Sequence, residues 1–301
     1  MDAEAQRSLA DLDLSRVTLT SLSVLEKSNP ALLATKPQRS RVEYYYTCGP
    51  SFLIYVLQQN PEIDLVTYLD ADLRFFSNPE PIFSELADSS VGIISHRFPI
   101  GKESLNRFGT FNVGWVSFRA DGEGLECLRW WADRCIEWCY DRVETDRFAD
   151  QKYLDQFAQR FQGVRVIQHP GANLAPWNLA RHAVTDCENK IQVDGQPLIF
   201  FHFHGFKMLK PWLFDTNMGE YRGRPSKMVR EKIFGPYIHE LTELQRNTSP
   251  SGSLMDSSRA ESRGYGRLFN AARQGARVVL GIWRNAYIIE WDLMDWNTQS
   301  S

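Results

Sequence analysis

Leu65-Val66-Thr67-Tyr68-Leu69-Asp70-Ala71-Asp72 is the stretch on which the fold of this chain turns. Its first five residues are apolar, β-branched or aromatic, the pattern of a strand buried in a sheet. They end on two carboxylates two positions apart. In extended chain, side chains at i and i+2 leave the same side, roughly 6.6 Å apart along the backbone, so both reach one divalent ion directly or through water. Two bare carboxylates this close repel each other, and a hard cation such as Mn2+ or Mg2+ removes that repulsion. D-x-D is also a common solvated turn or helix cap. The strand before it makes Asp70 and Asp72 candidate ligands, because ligands of open α/β sheets gather beyond the carboxyl ends of strands.

Upstream of this strand, Asn60-Pro61 stops a helix predicted over 44–59, with Pro50 and Ser51 near its start or at a restart. Residues 16–25, where Val17, Leu19, Leu22 and Val24 stand among polar neighbours, read as a short strand and turn. Residues 1–14 are polar and helix-like. Downstream, strands are predicted over 91–96, 112–118, 164–167 and 198–201, and helices over 124–140 and 149–159. Strands alternating with helices imply an α/β fold with a mixed sheet flanked by helices.

The Ser-rich stretch 247–262 reads as a linker between a body, 1–246, and a tail, 263–301. Arg259, Arg263, Arg267, Arg273, Arg277 and Arg284 face a single acid, Glu261. Leu268, Phe269, Ala272, Ala276, Val279, Leu280, Trp283 and Tyr287 recur at helical spacing, which predicts a basic amphipathic helix. Such a helix suits peripheral contact with an anionic membrane surface, and equally packing on the body or a partner subunit.

Composition removes several classes. A net charge of −3 over 301 residues creates no global field for nucleic acid, so no nucleic-acid partner is expected. The five cysteines, Cys48, Cys127, Cys135, Cys139 and Cys187, include no C-x-x-C, which fits neither a zinc site nor a disulfide framework. Their odd count and the absence of a basic-then-apolar leader argue for a reducing cytoplasm. No apolar run approaches the ~20 residues of a spanning helix. The expected location is cytoplasmic, with any contact to the inner membrane face made through the tail.

A second cluster is Phe200-Phe201-His202-Phe203-His204-Gly205-Phe206-Lys207. A strand here delivers two histidines to one side, then a glycine that lets backbone approach a ligand and a lysine able to meet phosphate. Imidazole suits Mn2+ better than Mg2+. Both histidines also fit as hydrogen-bonded residues among aromatics. A metal, a diphosphate and a lysine together make a leaving-group site, which points to glycosyl or nucleotidyl transfer. Arg97, after the strand at 91–96, offers a forked donor to phosphate or an acceptor carboxylate, or serves a surface loop.

Over roughly 40–207 these residues resemble GT-A glycosyltransferases, Rossmann-like nucleotide-diphospho-sugar transferases, and most closely those similar to glycosyltransferase family 8. Tyr68-Leu69-Asp70-Ala71-Asp72 matches that family's Y-L-D-x-D, and Asn78-Pro79-Glu80-Pro81-Ile82-Phe83 resembles the segment that follows it. Phe111-Asn112-Val113-Gly114 resembles F-N-x-G, which implies that Asn112 contacts the donor sugar. Ala149-Asp150-Gln151 resembles the D-Q pair, which implies a sugar-hydroxyl contact for Asp150 and a place at the face of the reacting carbon for Gln151. Pro176-Trp177-Asn178 resembles the element lining the acceptor side. His202-Phe203-His204-Gly205 matches H-x-x-G, which implies His202 as third metal ligand, with His204 competing.

The resemblance implies transfer from a nucleotide sugar, a UDP-sugar above all, to a hydroxyl of a glycan or lipid-linked acceptor in polysaccharide synthesis, with Mn2+ or Mg2+ as cofactor and retained configuration. Two departures stand out. The family's lysine three residues after the glycine is Met208 here, flanked by Lys207 and Lys210. No strand–loop–helix unit precedes Arg16, so the first βα unit of the fold is expected to be missing. A sugar nucleotidyltransferase would also use paired aspartates but calls for a Gly-rich phosphate loop early in the domain, which the sequence lacks. A non-catalytic or truncated homologue acting as a binding protein is the other alternative.

Overall fold

In the computed structural model, which describes residues 3–10, 15–248 and 287–289, the decisive strand forms over Leu65–Leu69 as predicted and is β1. It is followed by β2 (Leu73–Phe75), β3 (Val91–Ser95), β4 (Phe111–Arg119) and β5 (Val164–Ile167). The principal sheet has the order β1-β4-β3-β5. β4 is antiparallel to both its neighbours, whereas β3 and β5 are parallel. The mixed direction expected from the alternating elements is therefore present. β4 sits inside this sheet and is buried along seven of its nine residues, which is why its sequence reads as a continuous apolar run rather than an alternation.

Register along β4 breaks once. Ile93 pairs with Val116, but the next residue, Ile94, pairs with Asn112, so Val113, Gly114 and Trp115 bulge from the ladder with β3. Bulges re-aim side chains, and this one lies beside the end of β1, where Asp70 N–H donates to Gly114 O at 3.2 Å.

Helices cover both faces. On one, Arg41–Gln59 and Gly122–Glu137 pack over Val66, Val91, Ile93, Val116 and Phe118. Ser40 and Glu43 form a reciprocal capping box at the first, and Asp121 caps the second by accepting Gly124 N–H at 2.7 Å. On the other face, Ile82 and Leu86 of the helix Glu80–Leu86 pack with Ile94, Trp115, Ile167 and Phe200. Each fully buried side chain of this size stabilises the fold by about 1.5–3 kcal/mol before entropy is counted.

The second half builds a separate core. A meander of β6 (Val184–Cys187), β7 (Lys190–Val193) and β8 (Gln196–Pro197) precedes β9 (Phe200–His202), which pairs with β2. β10 (Lys207–Lys210) and β11 (Leu213–Asp215) follow. Phe201, Phe203, Phe214 and Phe234 fill this core together with Ile238 of the helix Gly235–Thr248.

Several expectations are corrected. Residues 16–25 form no strand; Leu22–Ser28 is a helix, because Leu22 and Leu25 lie three apart and meet Leu32, Tyr44 and Cys48 on one face. Pro50 lies inside the helix Arg41–Gln59 rather than at a restart; burial of Thr47 to Ser51 and Leu53 offsets the backbone bond it removes. The helix predicted over 149–159 is cut to a 3-10 turn, Lys152–Gln156, and the short Phe157–Arg160, since Ala149 takes a left-handed backbone at φ 46. The helix expected over 124–140 ends at Glu137. The predicted strand over 198–201 starts at Phe200.

The predicted linker 247–262 begins within the helix ending at Thr248, and its remainder lies outside the described residues. So does the predicted tail helix, except at its end: Tyr287 opens a strand, β12 (Tyr287–Ile289), antiparallel to β11 and with Ile288 buried in the second core. Before Leu65 the described residues are helices and turns alone. Among the described residues no helix is long and apolar enough to cross a membrane.

Candidate metal centre

Backbone pairing assembles the site from distant parts of the chain. β1 ends at Leu69, the chain turns through Asp70-Ala71-Asp72, and β2 then pairs with β9 so that Leu73 stands opposite His202. Asp72 O accepts Phe203 N–H and Leu174 O accepts His202 N–H, both at 2.8 Å, which fixes β9 between the aspartate turn and the segment around Leu174. As a result His202 Nε2 lies 3.0 Å from Asp72 Oδ1 and 3.7 Å from Asp70 Oδ2. Asp72, His202 and His204 present ligand atoms all within 4.8 Å of one another. The two histidines that the sequence offered as competitors thus stand at one place.

Residues outside the predicted set support these groups. Tyr68 Oη donates to Asp70 Oδ1 at 2.9 Å. Burial pushes the Asp70 carboxyl up, with the charge of Asp72 adding to it and His202 and Tyr68 opposing. Asp72 is only half-buried; desolvation raises its carboxyl, but its hydrogen bond to His202 and the charges of His202 and His204 prevail and hold it below its ordinary value. Burial and the neighbouring His202 push His204 down, toward the neutral form that binds metal.

Behind the ligands lies a packed polar layer. Trp177 sets its ring edgewise to His202 and His204, with centroids 5.0 and 5.4 Å away, while its Nε1–H donates to His96 O at 2.9 Å. Asn178 donates to His96 O and Asn173 O and accepts from Ala175 N–H, so its amide closes a buried turn. Asn112 Oδ1 accepts from Gly114 N–H at 3.1 Å and lies 3.2 Å from His202 Nδ1, and Asn112 Nδ2 donates to Gln151 Oε1 at 3.2 Å. Gln151 Nε2–H donates in turn to Phe108 O at 2.9 Å. His96, stacked 4.7 Å from Phe98, is driven by burial to about 3 and is a neutral imidazole.

Asp150 is buried, and Trp131 Nε1–H holds its backbone carbonyl at 2.9 Å. Burial and then the charge of Asp70 push its carboxyl up to about 8, so it is protonated at neutral pH. Of the other two predicted residues, Arg97 is taken up by backbone carbonyls and Lys207 is exposed. Arg97, at φ 54, donates from one terminal nitrogen to His169 O at 3.0 Å and from the other to Ala172 O. Lys207 is exposed at the start of β10, opposite Asp215.

Carboxylate oxygens and imidazole nitrogens fit a divalent cation of the Mn2+ kind. Asp70, Asp72, His202 and His204 could hold it. Sequence reading missed Tyr68 as a supporting group; its only signal was position, two residues before Asp70. His96, which follows the end of β3 and was expected to face the pocket together with Arg97, does stand in this layer.

Two proteins of Bacillus subtilis strain 168, both described as uncharacterized, are similar to the chain. YfnF is 37% identical over 251 residues, covering 80% of this chain and 78% of YfnF. YfnD is 32% identical over 244 residues, covering 80% of this chain and 77% of YfnD. No family model matches the chain.

Proposed function

The chain belongs to one family with YfnF and YfnD, and for this member we propose metal-dependent transfer of a sugar from a nucleoside diphosphate, UDP foremost, to a hydroxyl of a glycan or lipid-linked acceptor. The observation that carries the proposal is the meeting of Asp70, Asp72, His202 and His204 just past the carboxyl end of β1. A GT-A type of fold is part of it, supported by a D-x-D turn leaving β1 beside the antiparallel β4 of a mixed sheet.

A divalent ion bound there neutralises charge on a departing diphosphate. The remaining roles belong to the chain. Asp70 and Asp72 supply oxygens and His202 and His204 nitrogens. Asp150, protonated at neutral pH, donates a hydrogen bond to a sugar hydroxyl. Lys207 or Lys210 meets phosphate from the exposed β10. The buried amides of Asn112 and Asn178 and the half-buried amide of Gln151 hold the walls in place. Transfer is proposed to retain configuration through a front-face displacement, in which the departing phosphate takes the proton of the acceptor hydroxyl as the new glycosidic bond forms.

The test is calorimetric titration of UDP into the chain with and without Mn2+, beside Asp70→Asn/Asp72→Asn. Binding that requires both the ion and the aspartates is the expected result and leads to a screen of UDP-sugars for turnover. Equal UDP binding with and without Mn2+, or in the double variant, overturns the metal-centred reading. An inverted product overturns the front-face step.

A further inference from the structure

We infer that Asn112 is a positioning residue that fixes the proton of His202 on Nδ1 and so turns Nε2 toward Asp70 and Asp72, and that the F-N-V-G stretch of β4 is a cradle for this imidazole. This rests on the reading of the site as a metal centre, and it gives the stretch a role beyond touching a sugar.

Hydrogen-bond direction carries the inference. Backbone carbonyls only accept and backbone N–H groups only donate, so three of them set the polarity of the layer. Phe108 O takes the amide N–H of Gln151 at 2.9 Å, which leaves Gln151 Oε1 facing Asn112 as an acceptor at 3.2 Å. Gly114 N–H points at the Asn112 side chain at 3.1 Å and requires oxygen there. Thr110 O lies 3.2 Å from His96 Nδ1, which puts that ring's proton on Nδ1 and leaves Nε2 to accept from Asn112 Nδ2 at 3.5 Å. All three demand the same orientation of the Asn112 amide: nitrogen toward Gln151 and His96, oxygen toward Gly114 and His202. An oxygen 3.2 Å from His202 Nδ1 is satisfied only by a proton on that nitrogen. Free imidazole favours the other tautomer, and metal-binding histidines are generally oriented by a partner on the second ring nitrogen.

The glycine of the stretch has a matching reason. A Cβ on Gly114 would stand 2.6 Å from Asn112 Oδ1 and 2.7 Å from His202 Nδ1, inside the hydrogen bond itself. The bulge in β4 that frees residues 113–115 from the β3 ladder makes room for this contact. Asn112 and His202 are both buried, so water does not compete for the bond.

Nitrogen-15 correlation spectra of His202 test the inference without metal or turnover. A proton on Nδ1 is expected in both states: alone with Mg2+ bound, and in the metal-free chain beside an Nε2–H that donates to Asp72 Oδ1 at 3.0 Å. Asn112→Leu, similar in size but lacking the acceptor, is expected to lose that signature and to bind Mn2+ about 10- to 100-fold more weakly. Asn112→Asp, which keeps the acceptor, is expected to restore the Nδ1 signature and most of the affinity. A wild-type His202 protonated on Nε2 alone overturns the inference, and so does a folded Asn112→Leu with unchanged tautomer and affinity. If the wild type binds no divalent ion, the metal reading fails, while the metal-free spectra still decide the role of Asn112.

Discussion

His202, on β9, meets Asp72 at 3.0 Å from the turn just before β2, and β2 and β9 pair outside the principal sheet. In the proposed metal centre, affinity is therefore expected to depend on the β2–β9 register as much as on the ligands. Replacing Asp72 with Asn keeps the size and the turn but removes the charge. Mn2+ affinity is expected to fall at least about tenfold, with little change in melting temperature, by parallel calorimetry and thermal unfolding. Unchanged affinity would remove Asp72 from the ligand set.

Tyr68→Phe tests the hydroxyl that steadies Asp70 at 2.9 Å. Its loss removes a hydrogen bond that favours the charged carboxylate, so the Asp70 pKa is expected to rise further. Mn2+ binding should weaken more at pH 6 than at pH 8, because a further raised pKa leaves less of the carboxylate ionised as pH falls. Equal weakening at both pH values would show that Tyr68 acts by packing alone.

Asp150 makes a prediction about stability. Its folded-state pKa of about 8 lies above the ordinary aspartate value, so the native state holds a proton that the unfolded chain releases. The stabilisation is complete below about pH 4, the unfolded value, and is lost as pH rises toward 8. Asp150→Asn carries no such proton, so its stability relative to wild type should increase across this window, by on the order of a few kcal/mol. Urea unfolding of both proteins from pH 4 to 8 checks it, and a constant difference would contradict the raised value.

Ile288→Ala tests the return of the chain onto β11. Ile288 is 1% exposed and joins Phe214 in the second core. Truncation there should cost about 2–5 kcal/mol, as for other buried isoleucines. A loss below about 0.5 kcal/mol would mean that β12 is not part of the stable body.

Local pattern made β1 and β5 legible to the residue, because each is a short β-branched run bounded by turn or polar residues. Asp70, Asp72 and His202 were legible for the same reason, since each marks the end of such a run. What escaped the sequence depended on contacts between distant segments. Nothing near Asn112 announces that its amide serves His202, and the bulge that allows it exists only in the pairing of β4 with β3. Arg97 looked like a free fork until His169 O and Ala172 O were found on its terminal nitrogens. The alternation over 16–25 misled because two leucines three apart fit a helix as well as a strand, and packing against Tyr44 decided between them. In the tail, Tyr287, read as the end of a helix, belongs instead to a strand paired with β11, and the rest of that prediction lies outside the described residues.

The pairing of Leu73 with His202 also sets an order of events during synthesis. Asp70 and Asp72 leave the ribosome well before β9 exists, and at the usual pace of about 5–20 residues per second the aspartate turn waits several seconds for its histidine. During that interval the half-made site offers a cation only two carboxylates and water. For the proposed metal centre, selectivity for the ion would thus arrive with the closing of β9 on β2, late in the birth of the chain, and a one-residue slip there would turn His202 to the opposite face and leave the nascent site unable to discriminate.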